Sequence, residues 1–326
     1  CNLACPFCAY DRRLQRPRAT ADPARVAEFG AVLADYQRAT GDRVLVSWLG
    51  GEPLLWPPLA ALTERFAGDF SLRVSTTTNG TPLASAAVRA HVAEHYAELT
   101  VSVDGLAPTH DRLRGWVGGW EKMRSAVAAL VTERAVRGCD LRLRANVVLM
   151  RDTLAELEPL CHELAEWGLD EITFNQLGGN DRPDFFPAHR LRPEDGDWLA
   201  INLPRIRAEM AERGVTLAGG DGYLRRIRAS TRGERIAVAD CGPGEQFLFV
   251  DERGMCAPCS FTAGAYGIPL AEIGSAEALL RLRARFAEAR RLRRAAPCDD
   301  CHSTHVFEKF AAAGKASYAA LPLVAC

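Results

Sequence analysis

Cys1-Asn2-Leu3-Ala4-Cys5-Pro6-Phe7-Cys8 is the stretch of this sequence that decides its fold. Its three cysteines follow a C-x3-C-x2-C spacing and have no fourth ligand nearby, since the first histidine of the chain is His91. Three thiolates hold three corners of a 4Fe–4S cluster and leave one iron open to an external chelate, which a four-cysteine electron-transfer site does not allow. A zinc knot is the alternative, but it is usually closed by a fourth Cys or His. The run therefore favours an open iron–sulfur cluster.

A glycine turn follows some forty residues later. The segment 44–53 is predicted to be a buried strand that runs into Gly50-Gly51-Glu52-Pro53. Glycines let backbone carbonyls approach a ligand closely, and a glutamate can accept a hydrogen bond from an ammonium group. Alone, these four residues would indicate a simple turn. After the cysteine run they make the chain resemble the radical S-adenosylmethionine (radical SAM) enzymes, and the resemblance covers nearly the whole chain.

The resemblance implies a cofactor site along the first strands. In that family Gly-Gly-Glu-Pro binds the methionine amino group of SAM, and the Ser and Asp of a segment like Ser102-Val-Asp104-Gly105 contact the ribose. The Arg114-Gly115 pair would lie in a substrate-side loop. Taken singly, Asp104-Gly105 is only a turn. The implied cofactor-binding residues are Phe7, Gly50, Gly51, Glu52, Pro53, Thr78, Asn79, Ser102, Asp104, Arg144 and Asn146.

Two amides mark a candidate substrate position. Asn175 and Gln176 end a predicted strand, 171–177, that is otherwise apolar. Amides at the carboxyl end of a barrel strand indicate a polar substrate. A structural hydrogen bond is the other interpretation.

Alternation of strands and helices predicts an α/β fold. Amphipathic helices are expected at about 23–38, 57–67, 83–96, 120–137 and 153–167, each before a strand, and this order is typical of parallel strands with outer helices. Five strands are visible, and the family has one more just before the first cysteine, so we expect a partial (β/α)6 TIM-like barrel in a chain truncated at its N-terminus. The barrel would occupy residues 1–218 and a smaller domain residues 219–326. A loop at 178–193 would lie at the barrel rim, followed by a helix at about 194–213 and a glycine-rich link at 219–222.

A second cysteine set lies in the smaller domain. Cys241 and Cys259 flank a predicted β-hairpin that turns at 251–254, and a helix at about 276–293 leads to Cys298-Asp-Asp-Cys301. This arrangement resembles the Twitch domain, the shorter form of the SPASM domain. The resemblance implies that Cys241, Cys259, Cys298 and Cys301 ligate one auxiliary 4Fe–4S cluster, because no cysteine follows until Cys326. The spacing alone also permits a four-cysteine zinc site.

Cys256 lies three residues before a proposed ligand. We consider it an alternative ligand, a bystander, or a thiol that gives a hydrogen atom to a substrate radical. The hydrogen donor is the catalytic role that we carry forward for it.

Composition narrows the classes of function. The net charge is −1, the chain is 48% hydrophobic and 25% charged, and the arginine-rich stretch 281–294 indicates a solvated helix face. No basic tract has the density typical of nucleic-acid binding, and no apolar run approaches the roughly 20 residues of a membrane span. The chain has eleven cysteines, and they include groups with the C-x2-C and C-x3-C spacing of metal ligands. This spacing indicates a reducing, cytoplasmic setting rather than disulfides.

The resemblance implies a radical SAM oxidoreductase or epimerase. Such an enzyme reductively cleaves SAM to a 5′-deoxyadenosyl radical, using one electron from a partner such as flavodoxin or ferredoxin. The radical then abstracts hydrogen from a polar small molecule, by resemblance an aminocyclitol or aminosugar of a natural-product pathway, and oxidation or epimerisation follows. The alternative is modification of a ribosomally made precursor peptide or a protein side chain. A remoter alternative is a non-enzymatic zinc or iron–sulfur protein.

Overall fold

The computed structural model describes residues 1–14, 19–179, 182–238, 240–307, 309 and, for the backbone, 323–324. Cys326 lies outside the described residues. The chain divides into two compact units. Unit 1 contains Cys1–Arg16, Leu45–Gly68 and Arg73–Gly219, and unit 2 contains Pro17–Val44, Asp69–Leu72 and Gly220–Cys326. Unit 2 therefore takes two segments from inside the range 1–218.

Unit 1 is built on an open sheet of six parallel strands in sequential order, so the α/β prediction is confirmed. The strands are β1 Leu45–Trp48, β2 Arg73–Thr78, β3 Glu98–Ser102, β4 Arg142–Leu149, β5 Glu171–Gln176 and β6 Thr216–Leu217. Since all the strands are parallel and the register is continuous, their carboxyl ends lie along one edge of the sheet.

The sixth strand has a different origin from the one that we expected. The prediction placed it upstream of Cys1, whereas β6 lies between the long helix at 193–212 and the glycine-rich link. Thr216 and Leu217 pair with Glu171 and Ile172. Two residues are too few to show a strand period in the sequence.

Most helices of unit 1 agree with the predicted ones. They are α2 Leu59–Ala67, α3 Ala86–His95, α4 Ala107–Arg114, α5 Gly119–Arg137, α6 Leu157–Glu166, α7 Phe186–His189 and α8 Pro193–Glu212. Helix α4 corrects the prediction of a loop around Arg114. It ends at Gly115, whose φ of 60° is the left-handed conformation that glycine readily adopts at the end of a helix.

The core of unit 1 lies between the sheet and these helices. Along β4 buried and half-buried residues alternate, as expected for a strand with two different faces. Fully buried apolar side chains from neighbouring strands include Val74, Leu99, Ala145 and Ile172. This packing fixes the strand ends on which the site depends.

Unit 2 combines an N-terminal helix with the C-terminal part of the chain. Its elements are α1 Pro23–Thr40, α9 Asp221–Arg232, β7 Ala237–Val238, β8 Phe249–Val250, β9 Met255–Ala257, α10 Ala263–Tyr266, β10 Ile268–Pro269, α11 Ala276–Leu280, α12 Leu282–Leu292 and β11 Leu323–Val324. The predicted hairpin is confirmed as β8–β9, with Gly254 at φ 76° in its turn. The predicted helix at 276–293 is divided into α11 and α12, and α9 was not predicted.

One apolar cluster holds unit 2 together. Val32 of α1 is buried in it with Leu282 and Phe286 of α12 and with Cys256 of β9. Helix α1 thus contributes to a core whose other members lie more than 200 residues later in the chain. Within the described residues, no helix combines the length and the apolar character needed to cross a membrane.

Candidate functional site

The N-terminal cysteines form a short, turned loop in unit 1. Cys8 N donates to Cys5 O (3.1 Å), and Arg12 N donates back to Leu3 O (3.2 Å). These bonds fold the run into a compact loop with graded exposure: Cys1 is exposed, Cys8 is half-buried and Cys5 is buried. The loop thus offers thiols on both its solvent and its protein side.

The glycine turn after β1 lies against this loop. A Cβ at Gly51 would lie only 2.8 Å from the backbone nitrogen of Cys1, so no larger residue fits without displacing the cysteine loop. Gly50 has a φ of +133°, which favours glycine. The spacing of the two motifs in the sequence therefore becomes direct packing in the fold.

Glu52 links that turn to the end of β2. Its carboxylate accepts hydrogen bonds from Thr78 Oγ1 (2.8 Å) and from the backbone of Asn79 (2.6 Å). Burial raises the pKa of the Glu52 carboxyl, and these donors oppose the rise. Asn79 Nδ2 lies 3.6 Å from Cys1 Sγ. The structure thus brings Cys1, Gly51, Glu52, Thr78 and Asn79 together, as the resemblance implied.

We expected Asp104 to contact the ribose of SAM, but its side chain lies inside the protein. Its side chain is fully buried, its Oδ2 lies 2.5 Å from Arg114 Nη2, and its Oδ1 accepts from Val148 N (2.8 Å). Oδ1 is therefore hydrogen-bonded inside the protein, and Oδ2 is ion-paired with Arg114 although it makes no hydrogen bond among the described residues. Asp104 holds Arg114 in place, and the adjacent half-buried Ser102 stays the candidate for the ribose on β3.

Arg114 joins Asp104 to the cysteine loop. Its guanidinium lies 5.7 Å from the centre of the Phe7 ring and interacts with Cys5. Burial raises the pKa of the Cys5 thiol to about 11, and Arg114 opposes that rise. Arg114 Nε is buried without a hydrogen-bond partner among the described residues. A buried cation with an unused donor beside cysteines fits an anionic iron–thiolate cluster at Cys1, Cys5 and Cys8.

The remaining strand residues form a polar row. Ser102 and Asn146 are register partners, and Asn146 Oδ1 accepts from Thr173 Oγ1 and Asn175 Nδ2 (both 3.0 Å). Asn175 therefore makes the structural hydrogen bond that was its alternative interpretation. Gln176 is half-buried at the carboxyl end of β5.

Arg144 does not join this row. It lies near the amino end of β4, where its guanidinium pairs with Glu98 (3.1 Å) and Glu171 (3.0 Å). Those two carboxylates begin β3 and β5, at the opposite end of the strands from the cysteine loop. Its placement does not support the cofactor contact that we expected.

The four C-terminal cysteines line one pocket of unit 2. Cys241, Cys259, Cys298 and Cys301 share its wall with Tyr266 and Arg290. Burial raises the pKa of Cys241, and that of Cys301 to about 11, while the other cysteines add to both shifts. Four thiols in one pocket are the donor set of a closed 4Fe–4S cluster, and equally of a zinc site.

A buried ion pair holds the last two of these cysteines. Arg226 of α9 is 1% exposed and reaches Asp300 Oδ1 at 2.5 Å. Asp300 also accepts from Ile236 N (3.1 Å), and Cys301 N donates to Ile236 O (2.8 Å). The loop between Cys298 and Cys301 is thereby fixed by a residue that precedes it by about 70 positions.

Cys256 lies in the core rather than in the pocket. It has no exposed surface, and its neighbours are the apolar cluster of unit 2. Burial raises the pKa of its thiol to about 12. This placement does not suit a thiol that must reach a substrate radical, because nothing from outside the core can approach its sulfur.

Sequence reasoning missed three buried arginines: Arg114, Arg226 and Arg290. Each lies in or directly beside a helix rich in charged residues, where arginine is usually solvated. The one available signal was that Asp104 and Arg114 lie only ten residues apart in the sequence, so that a short helix between them could bring the two charges together. For Arg226 and Arg290 the charged partners, Asp300 and Asp240, are distant in sequence, so no local signal indicates these ion pairs.

The first part of the chain matches a known family. Residues 1–139 fit the model of the Radical SAM superfamily. An AdoMet-dependent heme synthase of Methanosarcina barkeri is 26% identical, over 80% of this chain and 74% of its own length. A pre-heme d1 synthase of Dinoroseobacter shibae is 29% identical, over 68% of this chain and 50% of its own length.

Solved structures show the same fold at lower identity. Streptococcus suis SuiB bound to S-adenosylmethionine has a TM-score of 0.60 and 16% identity, over 81% of this chain and 59% of that one. Native anSMEcpe with bound AdoMet has a TM-score of 0.63 and 17% identity, over 94% and 85%. The open six-stranded sheet therefore corresponds to the partial barrel of these proteins, although the chain spans less than two thirds of SuiB.

Proposed function

We propose that this chain, whose residues 1–139 match the Radical SAM superfamily, is a radical SAM enzyme that removes two electrons from its substrate with the help of an auxiliary 4Fe–4S cluster in unit 2. The observation that carries the proposal is the pocket lined by Cys241, Cys259, Cys298 and Cys301. A closed cluster can accept an electron, whereas zinc has no redox chemistry. The pocket therefore suits an oxidation only if it holds iron.

Cys1, Cys5 and Cys8 would hold the first cluster with SAM beside it, and the bound groups would supply the radical chemistry that takes hydrogen from the substrate. The residues of the chain shape that site. Gly51 admits close approach to the backbone of Cys1, Glu52 receives the methionine ammonium, and Arg114 compensates the charge of the thiolates. The 2.8 Å approach at Gly51 and the burial of Arg114 beside the Phe7 ring support the first and third roles. The role of Glu52 rests on the resemblance of its motif, since both of its oxygens already accept hydrogen bonds within the protein.

Oxidation is favoured over epimerisation by the position of Cys256. Epimerisation needs a hydrogen donor that can reach the substrate radical, and the candidate thiol is enclosed in the core. In the oxidation, one SAM and one reduced substrate give methionine, 5′-deoxyadenosine, the oxidised substrate and one proton. The electron that starts the reaction is recovered, so the reductant is needed only in catalytic amounts. A flavodoxin or ferredoxin would supply it.

The substrate class is proposed from the relatives. Both curated relatives are named for steps that form heme or pre-heme d1, so a tetrapyrrole is the first class to test. A peptide is the second, because one SuiB structure holds the precursor peptide SuiA and one anSMEcpe structure holds a peptide. An aminocyclitol or aminosugar is the third, and neither of the two curated relatives is named for one.

The test is 5′-deoxyadenosine formation by the reduced, reconstituted enzyme with each substrate class. We expect one 5′-deoxyadenosine per product and a product two hydrogens lighter than the substrate. A product of unchanged mass would replace oxidation with epimerisation. About four irons per chain instead of about eight would remove the auxiliary cluster.

A further inference from the structure

We propose that Arg290 sets the reduction potential of the auxiliary cluster and thereby makes it an electron acceptor. This inference rests on the proposed function, because it needs a cluster in the unit 2 pocket. Arg290 belongs to α12, in the arginine-rich stretch 281–294 that we predicted to be a solvated helix face.

Arg290 is almost enclosed. Its side chain is 9% exposed, and it lines the pocket together with the four cysteines. Its Nη2 donates to the carbonyl of Val238, and its Nη1 lies 3.5 Å from Asp240 Oδ1. Its Nε is buried without a hydrogen-bond partner among the described residues. A cation with an unused donor is costly in such a place unless something anionic occupies the pocket.

The charge of Arg290 is poorly neutralised by the protein. Its carboxylate partner, Asp240, is 72% exposed and therefore strongly screened by water. Arg294, one helical turn later, also donates to Val238 O (3.1 Å), but its Nε is paired with Asp299 at 2.7 Å. The pocket thus receives the field of Arg290 with little compensation.

A nearby positive charge favours the reduced form of an iron–sulfur cluster. Reduction by one electron adds one negative charge, and net charge and hydrogen bonds to the sulfurs are among the factors that set the potential. Arg290 lines the pocket together with Cys241, and the carboxylate of Asp240 belongs to the residue directly before Cys241 in the chain. The two residues should therefore shift the potential in opposite directions.

The experiment is a redox titration of the full chain with Cys1, Cys5 and Cys8 replaced by alanine, so that only the auxiliary cluster is observed. The reduced cluster is quantified by electron paramagnetic resonance. At the midpoint potential of this parent, we expect R290Q to lower the ratio of reduced to oxidised cluster about tenfold, or about 59 mV for one electron. R290K, which keeps the charge, should recover part of the ratio.

Two further variants control the result. R291Q changes the next residue of α12, which is 71% exposed and paired with Glu288, and should leave the ratio unchanged. D240N should raise the ratio about twofold, since it removes the opposing charge but keeps the oxygen that accepts from Gly242 N. If R290Q fails to hold iron, the direction in which D240N changes the ratio of reduced to oxidised cluster shows whether charge at the pocket sets the potential.

The outcomes separate this inference from the proposed function. Full iron with an unchanged ratio in R290Q, or no recovery of the ratio in R290K, overturns the role of Arg290 alone. A wild-type chain with about four irons removes the auxiliary cluster and with it both proposals.

Discussion

Replacing Arg226 with methionine should destabilise unit 2 and empty its pocket. Arg226 is 1% exposed and donates to Asp300 Oδ1 at 2.5 Å, to Ser230 Oγ at 2.7 Å and to the carbonyl of Glu234 at 3.3 Å. Methionine matches the length of the aliphatic stem but makes none of these bonds. Asp300 would then lose the cation that compensates it, and the loop between Cys298 and Cys301 would lose its anchor.

The expected cost is about 3 kcal/mol. Removing one partner of a buried ion pair typically costs about 3–5 kcal/mol, and the lower end applies because Asp300 is one third exposed. For a unit of about 140 residues this corresponds to a decrease of roughly 10 °C in melting temperature.

Two quantities are measured for each variant. The first is the melting temperature by circular dichroism, and the second is the iron content after anaerobic reconstitution. R226M should melt lower and retain about four irons, those of the N-terminal cluster. Arg225 is the matched control, since it is the exposed neighbour on α9, and R225M should change neither quantity. In a double-mutant cycle, R226M and D300N should couple by at least about 1 kcal/mol.

Two results would refute this reasoning. A loss of less than about 1 kcal/mol in R226M would mean that the buried pair contributes little beyond an ordinary surface pair. Strict additivity with D300N would mean that Arg226 acts through other partners.

Three further predictions test other parts of the molecule. Alanine at Cys1, Cys5 and Cys8 should halve the iron content and abolish 5′-deoxyadenosine formation, and retained cleavage of SAM would contradict the site assignment. Cys256→Ala should leave the iron content unchanged and lower stability by about 1 kcal/mol, because it removes only a buried sulfur; loss of iron would make Cys256 a ligand. His110 is buried beside Arg114, and burial lowers its pKa to about 3. Its folded pKa lies below the unfolded value near 6.5, so stability should fall as pH decreases from 6.5 towards 3, by about 2 kcal/mol at pH 5. His110→Asn should remove that part of the pH dependence in denaturant titrations, and an identical slope would refute it.

The sequence predicted the fold where the signals are local. Strands and helices of unit 1 follow from their periods, and Cys1, Gly51 and Glu52 could be placed together because the resemblance assigns both motifs to one cofactor site. The hairpin at 251–254 was predictable from its turn residues. In each case the information lies within a few residues.

The rest could not be predicted because it depends on long-range pairing. Helical period identifies α1 but cannot say that Val32 belongs to the same buried cluster as Leu282. Asp104 carries the right residue type for a ribose contact, yet the end of α4 brings Arg114 onto it first. Arg144 likewise is captured by two glutamates at the other end of its strand.

The place of α1 in unit 2 constrains how the protein can be synthesised and divided. Val32 leaves the ribosome about 220 residues before Cys256, its partner in the core. At roughly 5–20 residues per second, the apolar face of α1 waits on the order of 10–45 s for that partner. A fragment that begins at residue 220 would lack the helix altogether. Chaperone demand during translation, and failed expression of the C-terminal third alone, are therefore expected properties of this chain.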